Sequence, residues 1–166
     1  ILGYNHYADD VVEYFVQKSI ANGIDIIRIF DCLNDIRNLE TAVKATNKEK
    51  GHAQIALCYT LGDAYTLDYW KDIAKRIEDM GADSLTNRGK DVKADTIKYC
   101  WHYSQATVAD QNSWQVAGEA YIKENFPNWE NVAPDNYYSE QDAEKAVSIG
   151  ASILEAHSDI DLIICN

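Results

Sequence analysis

Cys100 and His102 stand two residues apart in the apolar run 96–103. A thiol beside an imidazole is the pairing that activates a sulfur nucleophile. Residues i and i+2 of a strand share a face. The surrounding Tyr99, Trp101 and Tyr103, however, place the pair in a core, where a thiol is inert. The other cysteines, Cys32, Cys58 and Cys165, form no C-x-x-C pair, so zinc ligation lacks its close spacing. Buried free thiols are the expectation, which suits a reducing compartment and cytoplasmic expression. The four histidines, His6, His52, His102 and His157, are scattered and include no His-x-His. Asp31 ends a β-branched run and reads as a helix cap or loop anchor before a catalytic acid. No G-x-G-x-x-G, G-x-x-x-x-G-K-[ST] or G-x-S-x-G motif occurs. These residues predict no enzyme, no metal site and no cofactor.

The elements that would position such groups alternate between helix and strand. Helices are predicted over 7–22, 35–48, 66–80 and 110–125, and from a cap at Ser139 to about residue 157. Val12, Phe15, Val16 and Ile20 recur at helical spacing in the first, and Gly23 ends it. Ile36, Leu39, Ala42 and Val43 stripe the second, and Trp70, Ile73, Ile77 and Met80 the third. Strands are predicted over 24–30, 53–60, 96–103, 131–137 and 160–165. The fourth contains Pro134, which assigns it to a sheet edge. Ser139 followed by Asp142 resembles a capping box. Helices between strands imply right-handed crossovers and a parallel sheet.

The chain has 166 residues, 46% of them hydrophobic, enough for one domain with a sizeable core. Fifteen Lys and Arg against 27 Asp and Glu give a formal net charge of −12. That repels phosphate backbones and anionic membrane surfaces, so neither nucleic acid nor membrane is an expected partner. No stretch approaches the roughly 20 apolar residues of a membrane span, and no signal peptide precedes Ile1. The reading is a soluble, self-repelling surface on a monomer, with dimerisation through open sheet edges as the alternative.

Two longer patterns lie on either side of the polar joint 84–93. HYADDVVEYFVQKSIANGIDIIRIFDCLNDIRNLETAVKA (6–45) and YTLDYWKDIAKRIEDMGADSL (65–85) resemble the carboxyltransferase domain of biotin-dependent enzymes, the group that includes oxaloacetate decarboxylase and pyruvate carboxylase. The resemblance covers 1–85 and implies consecutive units of a (β/α)8 barrel. It also implies a divalent metal held by a first-strand aspartate, a carbamylated lysine after the Gly-Ala-Asp-Ser strand, and a His-x-His pair. Within this sequence the first-strand segment is missing. Thr86-Asn87-Arg88 follows Leu85 where the lysine belongs. A metal without its ligands polarises nothing, so the inherited decarboxylation is not expected.

IKYCWHYSQATVADQNSW (97–114), NFPNWENVAPDNYYSEQDAEKA (125–146) and SDIDLIICN (158–166) resemble the autoinducer-2 and rhamnose-binding group of periplasmic sugar-binding proteins. The resemblance covers about 87–166 and implies three strands and two helices of one lobe. It places Asp110 and Gln111 where ligand hydroxyls are bound; a carboxylate and an amide together suit a vicinal diol. With one wall of a two-lobed cleft, affinity should be slight. As a structural residue, Asp110 reads as an N-cap or first-turn acid.

Together these readings describe an engineered chimeric scaffold with no intact inherited activity. The predicted fold is α/β, a three-layer sandwich around a five-stranded parallel sheet. It is flavodoxin-like and circularly permuted, with strand order 4-3-5-1-2 and Asn166 close to Ile1. A weak small-ligand binder is the alternative, taking a sugar, diol or phosphate at the carboxyl ends of the strands. Asp31, Thr60, Ser104, Asp110 and Gln111 are its lining candidates. The loop 104–107 lacks the glycines that wrap a phosphate.

Overall fold

Parallel strand pairing organises both halves of the computed structural model, which describes residues 2–3 and 5–165, apart from the side chain of Gln111. The chain divides into two compact units, Ile1–Gly89 and Lys90–Asn166.

In the first unit, α1 (Asp9–Ala21) leads to β1 (Ile26–Ile29). Gly23 at φ +96° lets the chain reverse after α1, with its N–H on Ile20 O at 3.0 Å and that of Ile24 on Ser19 O at 3.1 Å. A single 3₁₀ turn over Ile36–Asn38 precedes α2 (Glu40–Lys48). Strand β2 (His52–Ile55) pairs with β1, with Ile27 opposite Ala53, and α3 (Leu67–Asp79) follows. Thr66 caps α3 by accepting from Tyr69 N–H at 3.2 Å. The core gathers Val16, Ile27, Ile29, Leu39, Val43, Ala53, Ile73 and Ile77. Helix spacing and strand alternation deliver these residues to one side of the sheet. Ile26 and Arg28 point to the other and stay exposed.

A third barrel strand starts and stops within one rung. Asp83 N–H bonds Ala53 O at 3.1 Å, extending the ladder beside β2. The chain then turns, with Arg88 N–H on Ser84 O, Gly89 N–H on Thr86 O and Gly89 at φ +83°. The sequence departs from the barrel pattern at these same residues.

In the second unit, β3 (Lys98–Tyr103) is central. After α4 (Ala109–Asn125), the predicted fourth strand divides into β4 (Glu130–Asn131) and β5 (Tyr137–Tyr138). Both pair parallel with β3, at its start and its end respectively. Pro134 lies in the gap, where a missing N–H breaks no ladder. After α5 (Ala143–Ala156), β6 (Leu162–Cys165) takes the other side of β3, with Cys100 opposite Ile163. Tyr99, Trp101 and Tyr103 alternate onto the face packed with Ile122, Phe126 and Trp129. Trp101 and Tyr103 stack at 5.8 Å.

The strands pair in two sheets, of two and four strands. Two expectations change here. Asp142, not Ser139, caps α5, accepting from Lys145 N–H at 2.8 Å. Ser139 is buried instead, with its N–H on Tyr103 O at 2.9 Å. The free cysteines are not uniformly buried: Cys100 is, Cys58 is half-buried, and Cys32 and Cys165 are exposed. Cys32 lies in the turn past the end of β1, and Cys165 is the last residue of β6.

Candidate functional site

Asp31 is a loop anchor. Its Oδ2 accepts from Leu33 N–H at 3.0 Å and Asp35 N–H at 2.9 Å, and its Oδ1 from Asn38 Nδ2 at 3.1 Å. The Asp35 N–H holds its carboxyl below the usual range, with Asn38 and Leu33 adding to the effect. A carboxylate committed to three local donors shapes a turn and makes a poor general base. Asn34, at φ +57°, ties that turn to the segment after β2. Its Nδ2 donates to Cys58 O at 2.9 Å and its Oδ1 accepts from Cys58 N–H at 2.8 Å. Thr60 is exposed beyond that segment.

Asp110 lies in the first turn of α4, exposed, where the helix dipole favours an acid. The N-cap position is held by Val108, which offers no side-chain cap. Asn112 Nδ2 donates to Ala106 O at 2.9 Å, fastening the helix start to the loop that holds Ser104. Gln111 belongs to the same turn, and its side chain lies outside the described atoms.

His102 turns out to face Cys165 across the sheet. The two are in direct register, with Nδ1 and Sγ 3.9 Å apart. Burial lifts the Cys100 thiol to about 11 and lowers the His102 imidazole, and partial desolvation of its sulfur raises the thiol of Cys165, although the residue as a whole is exposed. Each shift favours the neutral form, so no thiolate–imidazolium pair forms near neutral pH. Among the described residues, no group of three or more His, Cys, Asp or Glu side chains is placed to hold a metal.

A second carboxylate is embedded beneath α4. Glu119 accepts from Tyr99 OH at 3.0 Å, Trp101 Nε1 at 2.6 Å and Asn131 Nδ2 at 2.9 Å. It joins helix, central strand and edge strand through three donors, which is a structural role.

Sequence reasoning misses the first unit's cleft. It has a volume of about 460 Å³ and lies where β2 begins, lined by Lys50, His52, Asp83, Asn87 and Arg88 among others. His52 Nδ1 is 3.0 Å from Asp83 Oδ2. Arg88 grips the same carboxylate with two bonds, Nε to Oδ1 at 2.7 Å and Nη2 to Oδ2 at 2.5 Å. The Arg88 bond, and behind it the charges of His52 and Arg88, hold the Asp83 carboxyl below its ordinary value. The three residues come from a strand start, an aborted strand and the joint, so no local motif announced them.

The carboxylase comparisons cover about half of the chain. No family model matches the chain. One half, 85 residues, is 52% identical to a pyruvate carboxylase subunit of Methanocaldococcus jannaschii, covering 51% of this chain and 15% of that protein. It is 46% identical to the methylmalonyl-CoA carboxyltransferase 5S subunit of Propionibacterium freudenreichii, covering 51% of this chain and 17% of that one. LsrB from Clostridium saccharobutylicum, solved in complex with AI-2, aligns at 43% identity and a TM-score of 0.50, covering 96% of this chain and 49% of that one. The chain thus spans about a sixth of these carboxylase relatives and half of LsrB. It is a two-part chimera, a carboxyltransferase fragment followed by a periplasmic-binding-protein fragment.

Proposed function

We propose that this chain is an engineered scaffold with no intact inherited catalytic activity. One observation carries the reading. The carboxyltransferase likeness ends where the third strand aborts, and Thr86-Asn87-Arg88 stands where that family's metal-binding lysine follows. The residues present do not fit the family's metal. Asp31 is committed to its own turn, and among the described residues no three His, Cys, Asp or Glu side chains are grouped to hold an ion. The test is oxaloacetate decarboxylation with Zn²⁺ or Mn²⁺ added. No turnover above the metal alone is expected; metal-dependent turnover by the chain would overturn the proposal.

The proposed arrangement is a single domain, built from 1–85 and 86–166, in which the two sheets continue into one. Its strand order is β4-β3-β6-β1-β2, the predicted 4-3-5-1-2, a circularly permuted flavodoxin-like sheet. It is supported by the parallel sense of all the pairs and by the likeness to LsrB along nearly the whole chain.

A weaker second reading is residual diol binding at Asp110 and Gln111. It is favoured by the exposure of Asp110 in a fragment similar to an AI-2-bound protein. Titration calorimetry with AI-2 and rhamnose is expected to show no binding at micromolar ligand. Micromolar affinity abolished by Asp110→Ala would establish the diol reading in place of the inert scaffold.

A further inference from the structure

Strands β1 and β2 are each followed by a cysteine just past their paired ends, and the register of the pair brings the two abreast. Arg28 stands opposite Gln54, with Arg28 Nε on Gln54 Oε1 at 2.8 Å, so these two share a face of the sheet. Cys32 and Cys58 lie four residues beyond that pair, and strand alternation carried to that point puts both on the same face. The ladder persists as far as Ala56 N–H on Ile29 O at 3.0 Å. Its next rung would set Cys58 N–H on Asp31 O. Asn34 intercepts that rung, its side-chain amide taking both backbone groups of Cys58. Asp31 O accepts instead from Asn34 N–H at 3.0 Å and from Cys58 Sγ at 3.6 Å. That carbonyl belongs to the peptide bond that Cys32 completes. Cys58 Sγ therefore lies within about 6.4 Å of Cys32 Cα by standard peptide dimensions. Residues abreast on neighbouring strands stand roughly 4.8 Å apart, inside the roughly 4.4–6.8 Å that a disulfide spans between Cα atoms. Cys32 is exposed and Cys58 half-buried, and Ile26 and Phe30 on the same face are each about half exposed. A small reagent thus meets Cys32 first and finds Cys58 beside it.

We propose that Cys32 and Cys58 form a dithiol modification site for low-molecular-weight disulfides of the oxidised-glutathione class. The Cys32 thiolate attacks one sulfur of the small disulfide. A sulfur–sulfur bond to Cys32 forms, the reagent's own sulfur–sulfur bond breaks, and one small thiol leaves. The Cys58 thiolate then attacks Cys32 Sγ. The mixed disulfide breaks, the Cys32–Cys58 bond forms, and the second small thiol leaves with the electron pair. The two protons lost by the cysteines end on the two released thiols. Two sulfurs of the chain are oxidised and two of the reagent reduced. The product ties the turn after β1 to the segment after β2, in place of the ladder rung that Asn34 displaced. The site uses neither inherited set of working groups and is independent of the scaffold reading.

The experiment exposes the full chain, dilute and in mildly alkaline buffer, to oxidised glutathione, then blocks the remaining thiols and maps the tryptic digest by mass. Fragments 29–37 and 51–71, which hold Cys32 and Cys58, should appear joined by a disulfide. Buried Cys100 should be blocked only after unfolding. Cys58→Ser should stop at glutathione on Cys32, and Cys32→Ser should give no joined fragments. Titrated against reduced and oxidised glutathione, the effective concentration of the pair should be at least about tenfold higher in the folded chain than in urea, a comparison that needs no variant. Glutathione on both cysteines with no joined fragments would overturn the proposal. So would fragment 29–37 joined to the fragment holding Cys165, or an effective concentration no higher folded than in urea.

Discussion

Gly118 shows how one side chain decides against a general preference. Alanine is favoured over glycine inside a helix by about 1 kcal/mol. A Cβ at this position, though, would stand 2.7 Å from Cη2 and 3.0 Å from Cζ2 of Trp101. The indole cannot yield, because Glu119 holds its Nε1 and Tyr103 stacks on its face. Gly118→Ala is therefore expected to destabilise the second unit by about 1–3 kcal/mol, the usual cost of overpacking, measured by chemical denaturation. Asp83 makes a pH prediction of the same local kind. Its pKa is depressed on folding, so its contribution is present above the unfolded aspartate value of about 3.9 and is lost as pH falls through the lower folded value. The first unit should lose stability below about pH 4, and Asp83→Asn should flatten that slope in thermal melts across about pH 2–6.

At the scale of elements, the joint does more than connect. Asn87 belongs to the departure from the barrel pattern, yet its Nδ2 donates to Glu78 O at 2.9 Å and Ala82 O at 2.7 Å. The first adds a donor to a last-turn carbonyl of α3 that Gly81 N–H also reaches, and the second fixes the turn just past the helix. Ser84 Oγ adds a bond to Glu78 at 3.0 Å. Asn87→Ala should cost about 1–2 kcal/mol in the first unit, with the loss of amide protection concentrated at the end of α3. Helices were the legible elements, because their stripes and stops are written within a few residues: Gly23 after α1, Thr66 before α3. Edge strands were less so. Nothing local in 131–137 says that its ends alone reach β3, since that depends on how the Pro134 turn bulges away. The Ser139 cap failed for a related reason, as Glu140 and Gln141, at φ +57° and +63°, turn the chain before α5 begins and leave Ser139 buried with its N–H and O–H donating to the Tyr103 carbonyl. Pairings across the fold, His52 with Asp83 and His102 with Cys165, are set by register, which a single sequence encodes only through its neighbours.

At the scale of the molecule, the open question is what lies beside the outer edges of β1 and β6. Asp25 O and Ile29 O accept from His52 N–H and Ala56 N–H at 2.9 and 3.0 Å, so odd residues of β1 address β2. By strand alternation, the N–H groups of Ile26 and Arg28 point the other way. In the second unit Asp161 N–H bonds Lys98 O at 2.9 Å, so odd residues of β6 address β3, and Leu162 and Ile164 turn outward. In the proposed five-stranded sheet these four amides become ladder donors. Hydrogen exchange should then slow at Ile26, Arg28, Leu162 and Ile164 to the level of Ile27 and Ile163, equally at low and high protein concentration. Two open edges would leave the four exchanging within the dead time, because an unpaired edge amide meets water directly. A half-barrel dimer gives a third signature, protection at Ile26 and Arg28 that rises with concentration while Leu162 and Ile164 stay fast. The alternation that buries Ile27 and Ile29 leaves Ile26 and Phe30 about half exposed. Exchange at this one strand therefore separates a chimera that has closed its sheet from one whose two fragments each kept an unpaired edge.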